Sequence, residues 1–203
     1  MPGADFFARL GLFVDTKLVH PEACVRLRAE MRSAPGKAAT VIERRGPADA
    51  VDEETRRTKS AKVSESAISL VEERLLAIKP QLESHFGVAL SRWQPPQFLV
   101  YRRGDFFRPH PDISEDPDAP QFAKERRVSI VIFLNDESPK PKPECYCGGS
   151  LTFYGLFDDP RAKGLGLPLV GQAGLLIAFR PEILHEVTEV TDGERYTIVS
   201  WFV

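Results

Sequence analysis

The stretch Tyr101-Arg-Arg-Gly-Asp-Phe-Phe-Arg-Pro-His110-Pro-Asp112 places a histidine and an aspartate two residues apart. Alternate side chains of an extended strand point the same way, so His110 and Asp112 can present an imidazole and a carboxylate to one ion. A third candidate ligand, His185, follows downstream. Two histidines and one carboxylate on one face of an octahedral Fe(II) leave three positions open for a chelating co-substrate and O2. These residues therefore predict a non-haem iron site and an enzyme.

Each histidine also has a simpler interpretation. The pattern His-x-Asp is short enough to occur by chance in loops. His20 lies at a predicted helix start, and His85 lies at a predicted helix end, where a cation is favourable, so neither is expected to bind metal. His185 lies between two apolar runs, and a hydrogen-bonded core histidine is the alternative for it. The order and spacing of the whole set favour the metal site.

The pattern around these residues resembles the 2-oxoglutarate and iron(II)-dependent dioxygenases, and within them the prolyl 4-hydroxylase-type domain. The resemblance extends from Gln97 to Val203 and is weaker upstream. The matching positions are Tyr101, Gly104, Phe107, His110, Asp112, the strand from Gly148 to Phe153, the strand from Gly174 to His185, the Gly-x-basic run Gly193-Glu194-Arg195, and Trp201.

The resemblance implies the cofactors and their contacts. It implies Fe(II) bound by His110, Asp112 and His185, with 2-oxoglutarate and O2 as co-substrates and ascorbate as a candidate reductant. Arg195 is implied to bind the far carboxylate of 2-oxoglutarate, and Tyr101 to help hold the same molecule. Many collagen-type members carry lysine at the position of Arg195; only arginine pairs with a carboxylate as a planar fork.

The resemblance also implies hydroxylation of an aliphatic carbon with release of succinate and CO2. A peptidyl proline is the expected substrate, with Arg103 and Trp201 as candidate substrate contacts. A free amino acid or related metabolite is the alternative, and a non-catalytic binding module is disfavoured because the ligands and Arg195 are all present. Related iron halogenases replace the carboxylate ligand with a small residue, so Asp112 argues against halogenation.

Composition agrees with one compact domain over residues 1–203. The chain has 203 residues, of which 42% are hydrophobic and 28% charged, and its formal net charge is -2. Its short basic clusters are offset by aspartate and glutamate, so we expect no nucleic-acid partner. The expected partner is a peptide, protein or small-molecule substrate, and the oligomeric state is left open.

Cysteine use and hydropathy bear on location. Cys145 and Cys147 form Cys-x-Cys in a predicted loop, with Cys24 far away, which is neither a disulfide framework nor a zinc spacing. A reducing compartment is favoured. The sequence has no 18-residue apolar run, and its first residues lack the basic flank and apolar core of a signal peptide. We therefore expect a cytoplasmic protein without a membrane partner.

The first part of the chain, residues 1–96, is predicted to be helical. Apolar residues recur at helical spacing in residues 22–32 and again from Ser64, where Ile68, Val71, Leu75, Ile78 and Leu82 follow one another at intervals of 3, 4, 3 and 4. Pro80 is expected to kink or divide the second helix. Between the helices, Pro47 to Lys62 is polar without an apolar period and predicts a mobile loop that could close over a substrate.

Residues 97–203 show the two-residue period of β-strands and predict the catalytic core. The fold class is therefore α+β with a mainly β core, which the resemblance specifies as a double-stranded β-helix, or jelly roll, flanked by N-terminal helices. A hairpin at Asp192-Gly193 would put Arg195 about 17 Å from His185, beyond the reach of a five-carbon diacid. In the resembled fold the two strands belong to opposite sheets that face one pocket.

Overall fold

The computed structural model describes residues 4–39, 54–114, 116–162 and 164–203. Within these ranges the chain forms helices and two β-sheets. The helices are α1 (Ala4–Arg9), α2 (Pro21–Ser33), α3 (Glu65–Phe86) and α4 (Gln121–Lys124), with a short 3-10 turn at Pro160–Ala162. None of the described helices is both long enough and apolar enough to cross a membrane.

The strands are short except for the last one. They are β1 (Phe13–Asp15), β2 (Gly36–Ala38), β3 (Arg56–Arg57), β4 (Lys59–Ala61), β5 (Gln97–Arg102), β6 (Phe106–His110), β7 (Val128–Phe133), β8 (Tyr146–Gly148), β9 (Leu151–Phe153), β10 (Leu167–Leu169), β11 (Leu176–Phe179), β12 (His185–Val187) and β13 (Val190–Phe202). The larger sheet has the order β1-β11-β7-β13-β5-β4-β2, and β8 pairs with β13 off this path. The smaller sheet has the order β10-β9-β12-β6-β3.

Most consecutive strands of the second half lie in different sheets, as in a jelly roll. Strands β5, β7, β11 and β13 lie in the larger sheet, whereas β6, β9, β10 and β12 lie in the smaller one. In particular, β12 and β13 are consecutive along the chain but belong to opposite sheets. The predicted α+β architecture with a mainly β core and N-terminal helices is confirmed, and so is the placement of His185 and Arg195 on opposite sheets.

Alternate residues of strand β7 face two different buried environments, so the strand has a two-residue period although all of it is buried. All six of its residues are buried. Ile130 and Ile132 pack into a cluster shared with α2 and α3. Val131 and Phe133 instead pack against the other sheet, with Leu151 and other apolar side chains. The strand is therefore covered by helices on one face and by the second sheet on the other.

Helix α3 covers the outer face of the larger sheet. Ser64 caps its start by accepting a hydrogen bond from the backbone N–H of Ala67, and Gly87 ends it in the left-handed conformation at φ 63°. The expectation that Pro80 divides this helix is wrong, because α3 continues through it to Phe86. Pro80 is exposed, so the carbonyl freed by its missing N–H lies on the solvent side, while the buried stripe stays intact.

Two further expectations need correction. The loop expected from Pro47 to Lys62 falls partly outside the described residues, but positions 56–57 and 59–61 form strands β3 and β4, so an irregular loop is wrong there. Strand β3 pairs with β6, and strand β4 pairs with β5. These backbone hydrogen bonds order the segment, although its sequence has no apolar period. Cys147 lies in strand β8 rather than in a loop, because residues 146–148 pair with β13.

Two adjacent leucines of α3 test this packing. Leu75 is 0% exposed and Leu76 is 58% exposed. Leu75→Ala removes core packing and should lower the free energy of unfolding by about 2–5 kcal/mol. The matched exchange Leu76→Ala should change it by less than about 0.5 kcal/mol. Urea unfolding of both variants measures the difference, and equal losses would contradict the assignment of the buried face.

Candidate metal centre

The smaller sheet brings the two candidate histidines together. His110 is the last residue of β6, His185 is the first residue of β12, and the two are direct partners in the antiparallel register. Asp112 lies two residues beyond β6, where its backbone N–H donates a hydrogen bond to the carbonyl of Pro181 at 2.7 Å. Strand pairing therefore positions the imidazoles, and the hydrogen bond to Pro181 helps to fix the backbone of Asp112.

The three side chains converge on one point. His110 Nε2 lies 3.8 Å from Asp112 Oδ1, and His185 Nε2 lies 3.7 Å from Asp112 Oδ2. One ligand atom from each residue lies within 4.8 Å of the others. Two imidazole nitrogens and one carboxylate oxygen at this spacing match the donor set of non-haem iron sites. The site residues predicted from sequence are thus brought together.

Hydrogen bonds leave the correct imidazole nitrogens available. His110 Nδ1 lies 2.7 Å from the carbonyl oxygen of Arg108, and His185 Nδ1 lies 2.9 Å from that of Ile183. A carbonyl can only accept, so both Nδ1 atoms carry the proton and donate. Each Nε2 therefore keeps its lone pair for a metal, an arrangement typical of metal-binding histidines.

Burial and neighbouring charge shift the pKa values of His110 and Asp112 toward the protonation states that bind a metal. Burial, with a further contribution from His185, lowers the pKa of His110 to about 3. Burial opposes ionisation of Asp112, but His185, His110 and Arg126 outweigh it and lower the Asp112 pKa to about 2. At neutral pH the site therefore offers a neutral His110 imidazole and an ionised carboxylate.

Aromatic rings enclose the centre. Phe107 stacks on His110 with ring centroids 3.5 Å apart and an interplanar angle of 19°. Phe179 meets His185 edge-on at 4.7 Å. These contacts restrict rotation of both imidazoles. They also make the surroundings of the three donors apolar, which strengthens electrostatic interactions within the site.

Arg195 lies in the same cavity on the opposite sheet. It is 1% exposed, and its Nη1 donates to Thr197 Oγ1 at 3.2 Å. Its Nε and Nη2 atoms have no hydrogen-bond partner within the described part of the chain. These two nitrogens form one edge of the guanidinium, the edge that binds a carboxylate through two parallel hydrogen bonds. A buried guanidinium without a paired anion is energetically costly. The free edge of Arg195 is therefore well suited to bind the distal carboxylate of 2-oxoglutarate.

Tyr101 lies beside Arg195, as the resemblance implied. The two residues are direct partners in the β5–β13 register, and the Arg195 guanidinium carbon lies 5.0 Å from the centroid of the Tyr101 ring. Phe133 supports the same guanidinium at 5.1 Å. Tyr101 also lines the cavity that contains the three candidate ligands. The structure therefore brings Tyr101 and Arg195 into one site with them.

The two candidate substrate contacts fall in different places. Trp201 lines the cavity and is 8% exposed. Arg103 is exposed after the end of β5 and is not among the residues that line the cavity. Its role remains a prediction, one for which its position offers no support.

Three residues of this region were not predicted from the sequence. Thr197 lines the cavity and accepts from Arg195; the two-residue period of β13 was a signal that could have found it. Arg56 is buried, lines the cavity and stacks over the ring of Phe107 at 4.7 Å. It lies in the segment interpreted as a loop, where no local pattern marks it. Arg126 contacts Asp112 and likewise carries no motif.

Comparison with known proteins identifies one family. The model of the 2OG-Fe(II) oxygenase superfamily matches residues 96–203. A PKHD-type hydroxylase of Alteromonas mediterranea is 27% identical over 200 residues, which cover 94% of this chain and 76% of that protein. A PKHD-type hydroxylase of Cupriavidus metallidurans is 31% identical over 140 residues, which cover 68% of this chain but only 56% of its own length.

Solved structures share the fold. A Pseudomonas putida prolyl-4-hydroxylase is similar with a TM-score of 0.66 and 23% identity, over 98% of this chain and 95% of that one. A prolyl hydroxylase of Trichoplax adhaerens, solved with a hypoxia inducible factor peptide fragment, has a TM-score of 0.69 and 15% identity, over 98% of this chain and 88% of that one. At these identities the likeness concerns the fold.

The first prediction for the site concerns metal binding. Replacing His110, Asp112 or His185 with alanine should sharply weaken Fe(II) binding and abolish turnover, because two remaining ligands cannot hold the ion facially. His20→Ala, at the exposed start of α2, is the matched control and should bind Fe(II) like the unmodified protein. Anaerobic Fe(II) titration measures both. Undiminished Fe(II) binding in His185→Ala would contradict the assignment.

The second prediction separates co-substrate binding from metal binding. Arg195→Ala should leave Fe(II) affinity nearly intact and weaken 2-oxoglutarate binding by roughly 30-fold to a few thousand-fold, the equivalent of about 2–5 kcal/mol for a buried charge pair. Arg195→Lys should recover part of this affinity, since it keeps the charge but loses the fork. An unchanged 2-oxoglutarate titration in Arg195→Ala would assign the carboxylate to another basic residue, with Arg56, which also lines the cavity, the first to test.

Proposed function

The chain belongs to the 2OG-Fe(II) oxygenase superfamily, and from this membership we propose that it hydroxylates a proline residue within a peptide. It is an enzyme of the prolyl hydroxylase-like type that uses Fe(II), 2-oxoglutarate and O2. The observation that carries the 2-oxoglutarate-dependent chemistry is the unpaired guanidinium edge of Arg195, which lines the same cavity as the His110, Asp112 and His185 cluster.

We assign each residue a separate task. His110, Asp112 and His185 would hold the iron through two Nε2 atoms and one carboxylate oxygen. Arg195 would bind the distal carboxylate of 2-oxoglutarate, and the hydrogen bond to Thr197 and the ring of Tyr101 would keep its guanidinium in place. Bound iron supplies the oxygen activation that couples decarboxylation of 2-oxoglutarate to hydroxylation of the substrate.

Two features of the cavity support a peptidyl proline. The indole of Trp201 provides a broad apolar wall against which a pyrrolidine ring can pack. Arg56 and Phe107 line the cavity from the smaller sheet, and a guanidinium there can donate to a peptide carbonyl. Two structural neighbours are prolyl hydroxylases, one of them solved with a peptide fragment, which agrees with this class of substrate.

A free amino acid or related metabolite is the second candidate. The observation that favours it is Arg56, a second buried cation in the cavity besides Arg195. The positive charge of Arg56 would attract the carboxylate of a small substrate, whereas a peptide substrate would offer it a carbonyl oxygen. The two candidates therefore differ in what Arg56 recognises.

We also propose that the enzyme works in a reducing compartment such as the cytoplasm. Cys24, Cys145 and Cys147 are all free thiols. Burial raises the pKa of Cys24 to about 11 despite the opposing charge of Arg28, so this thiol stays protonated and unreactive at neutral pH. Free thiols are typical of proteins kept in a reducing environment.

The decisive experiment is product analysis. The enzyme is loaded anaerobically with Fe(II) and 2-oxoglutarate, mixed with a pool of proline-containing peptides and free amino acids, and exposed to O2. We expect a peptide to gain one oxygen on proline, with one succinate formed for each oxygen gained. A gain of oxygen confined to a free amino acid would replace the first candidate with the second, and Asp112→Ala is the inactive control.

A further inference from the structure

Arg126 lies outside the cavity, directly behind the candidate iron ligand Asp112. It follows helix α4 and precedes strand β7, and it is 6% exposed. Its Nη1 donates a hydrogen bond to the backbone carbonyl of Asp112 at 2.8 Å and lies 4.0 Å from the carboxylate oxygen Oδ1. One guanidinium thus contacts both the backbone and the carboxylate of the same residue.

Asp112 depends on such contacts because no strand holds it. It lies two residues past the end of β6, in a bend of the chain. Its backbone N–H donates to Pro181, and its carbonyl accepts from Arg126. His110 and His185, by contrast, are fixed by their pairing across the sheet. Of the three candidate ligands, Asp112 is the one whose backbone lies outside the paired strands and accepts a hydrogen bond from a side chain elsewhere in the sequence.

Arg126 is itself held on two other sides. Its Nε donates to Gln94 Oε1 at 3.1 Å, and its guanidinium carbon lies 3.7 Å from the centroid of the Trp201 ring. Gln94 is anchored in turn, because its N–H donates to the carbonyl of Trp201 and its carbonyl accepts from Ser200 Oγ. The stack and the hydrogen bond fix both the plane and the direction of the guanidinium. Lysine has no planar face, and its three donors are all on one nitrogen, whereas the two hydrogen bonds of Arg126 use separate nitrogens of the guanidinium.

We propose that Arg126 is a positioning residue for Asp112: it holds the aspartate backbone so that the carboxylate faces the two imidazoles, and in this way sets the affinity for the metal. The inference rests on the proposed role of Asp112 as a ligand. It goes beyond the proposed function because it assigns a task to a residue that neither lines the cavity nor carries a motif. Outer partners of metal ligands typically affect metal affinity by about 10- to 100-fold.

The test measures metal affinity without turnover. Ni(II) is the probe, titrated into the full chain without 2-oxoglutarate in competition with a chelator, because it binds nitrogen and oxygen donors more tightly than Fe(II) does. Arg126→Met keeps the apolar length and removes the donors, and it should weaken Ni(II) binding by about 10- to 100-fold. The matched exchange Arg127→Met, at the exposed neighbouring position, should leave affinity unchanged. Equal affinity in the two variants would overturn the proposal.

A double-mutant cycle shows whether Arg126 acts through Asp112. Adding Arg126→Met to Asp112→Ala should cause no further loss of Ni(II) affinity, because the carboxylate to be positioned is gone. A further loss as large as in the single variant would assign Arg126 a general structural role and overturn the proposal. Unchanged affinity in Asp112→Ala alone would overturn the ligand assignment as well. Loss in Asp112→Ala with none in Arg126→Met would overturn only the present inference.

Arg126→Lys provides a second route if the methionine variant does not fold. It retains the buried charge beside Asp112 but cannot reach the Asp112 carbonyl and Gln94 together. We expect Arg126→Lys to bind Ni(II) more weakly than Arg127→Lys does, with a metal-free melting temperature close to that of Arg127→Lys. Affinity equal to that of Arg127→Lys would overturn the proposal. Near-UV circular dichroism of each metal-free variant verifies the fold before titration.

Discussion

The arrangement of the site depends on the two-residue period of strand β13. Arg195, Thr197, Val199 and Trp201 all line the cavity. The alternate residues Tyr196, Ile198 and Phe202 pack instead into the cluster formed with the helices. The same strand therefore carries the candidate co-substrate anchor, a wall of the substrate cavity and a large share of the helix–sheet core. Its register is fixed on both sides, by β5 and by β7, and a slip would disturb the core together with the site.

The interior balances charge with aromatic surface. Arg195 is enclosed by rings of Tyr101 and Phe133, and Arg126 by the ring of Trp201. A guanidinium tolerates such surroundings because it is weakly hydrated and its face is attracted to the face of a ring. Hydrogen bonds then orient the nitrogens that remain. This combination lets the sandwich keep cations close to the three candidate metal ligands.

Much of the fold and of the candidate site could be predicted from the sequence, because the residues that reveal them recur periodically or lie close together in the chain. His110 and Asp112 stand together in the chain, α3 repeats at helical spacing, and β13 alternates. Arg56 and Arg126 could not be found in this way, since each acts through partners that are distant in sequence and lie in short elements without a period of their own. The prediction at Pro80 failed for the opposite reason. Proline strongly disfavours a helix interior, but the buried apolar stripe of α3 stabilises the helix, and Pro80 itself is exposed to solvent.

The alternation of β13 also constrains how relatives of this enzyme can diverge. Arg195 and Trp201 face the same side because their positions in the strand differ by six, an even number. Gain or loss of one residue between them would turn one of the two toward the helices, unless a bulge absorbed it, whereas gain or loss of two would preserve both faces. Evolution along this strand should therefore proceed by substitution, with length changes displaced to the loops. An even separation between these two residues can therefore be used as a constraint when distant homologues are aligned.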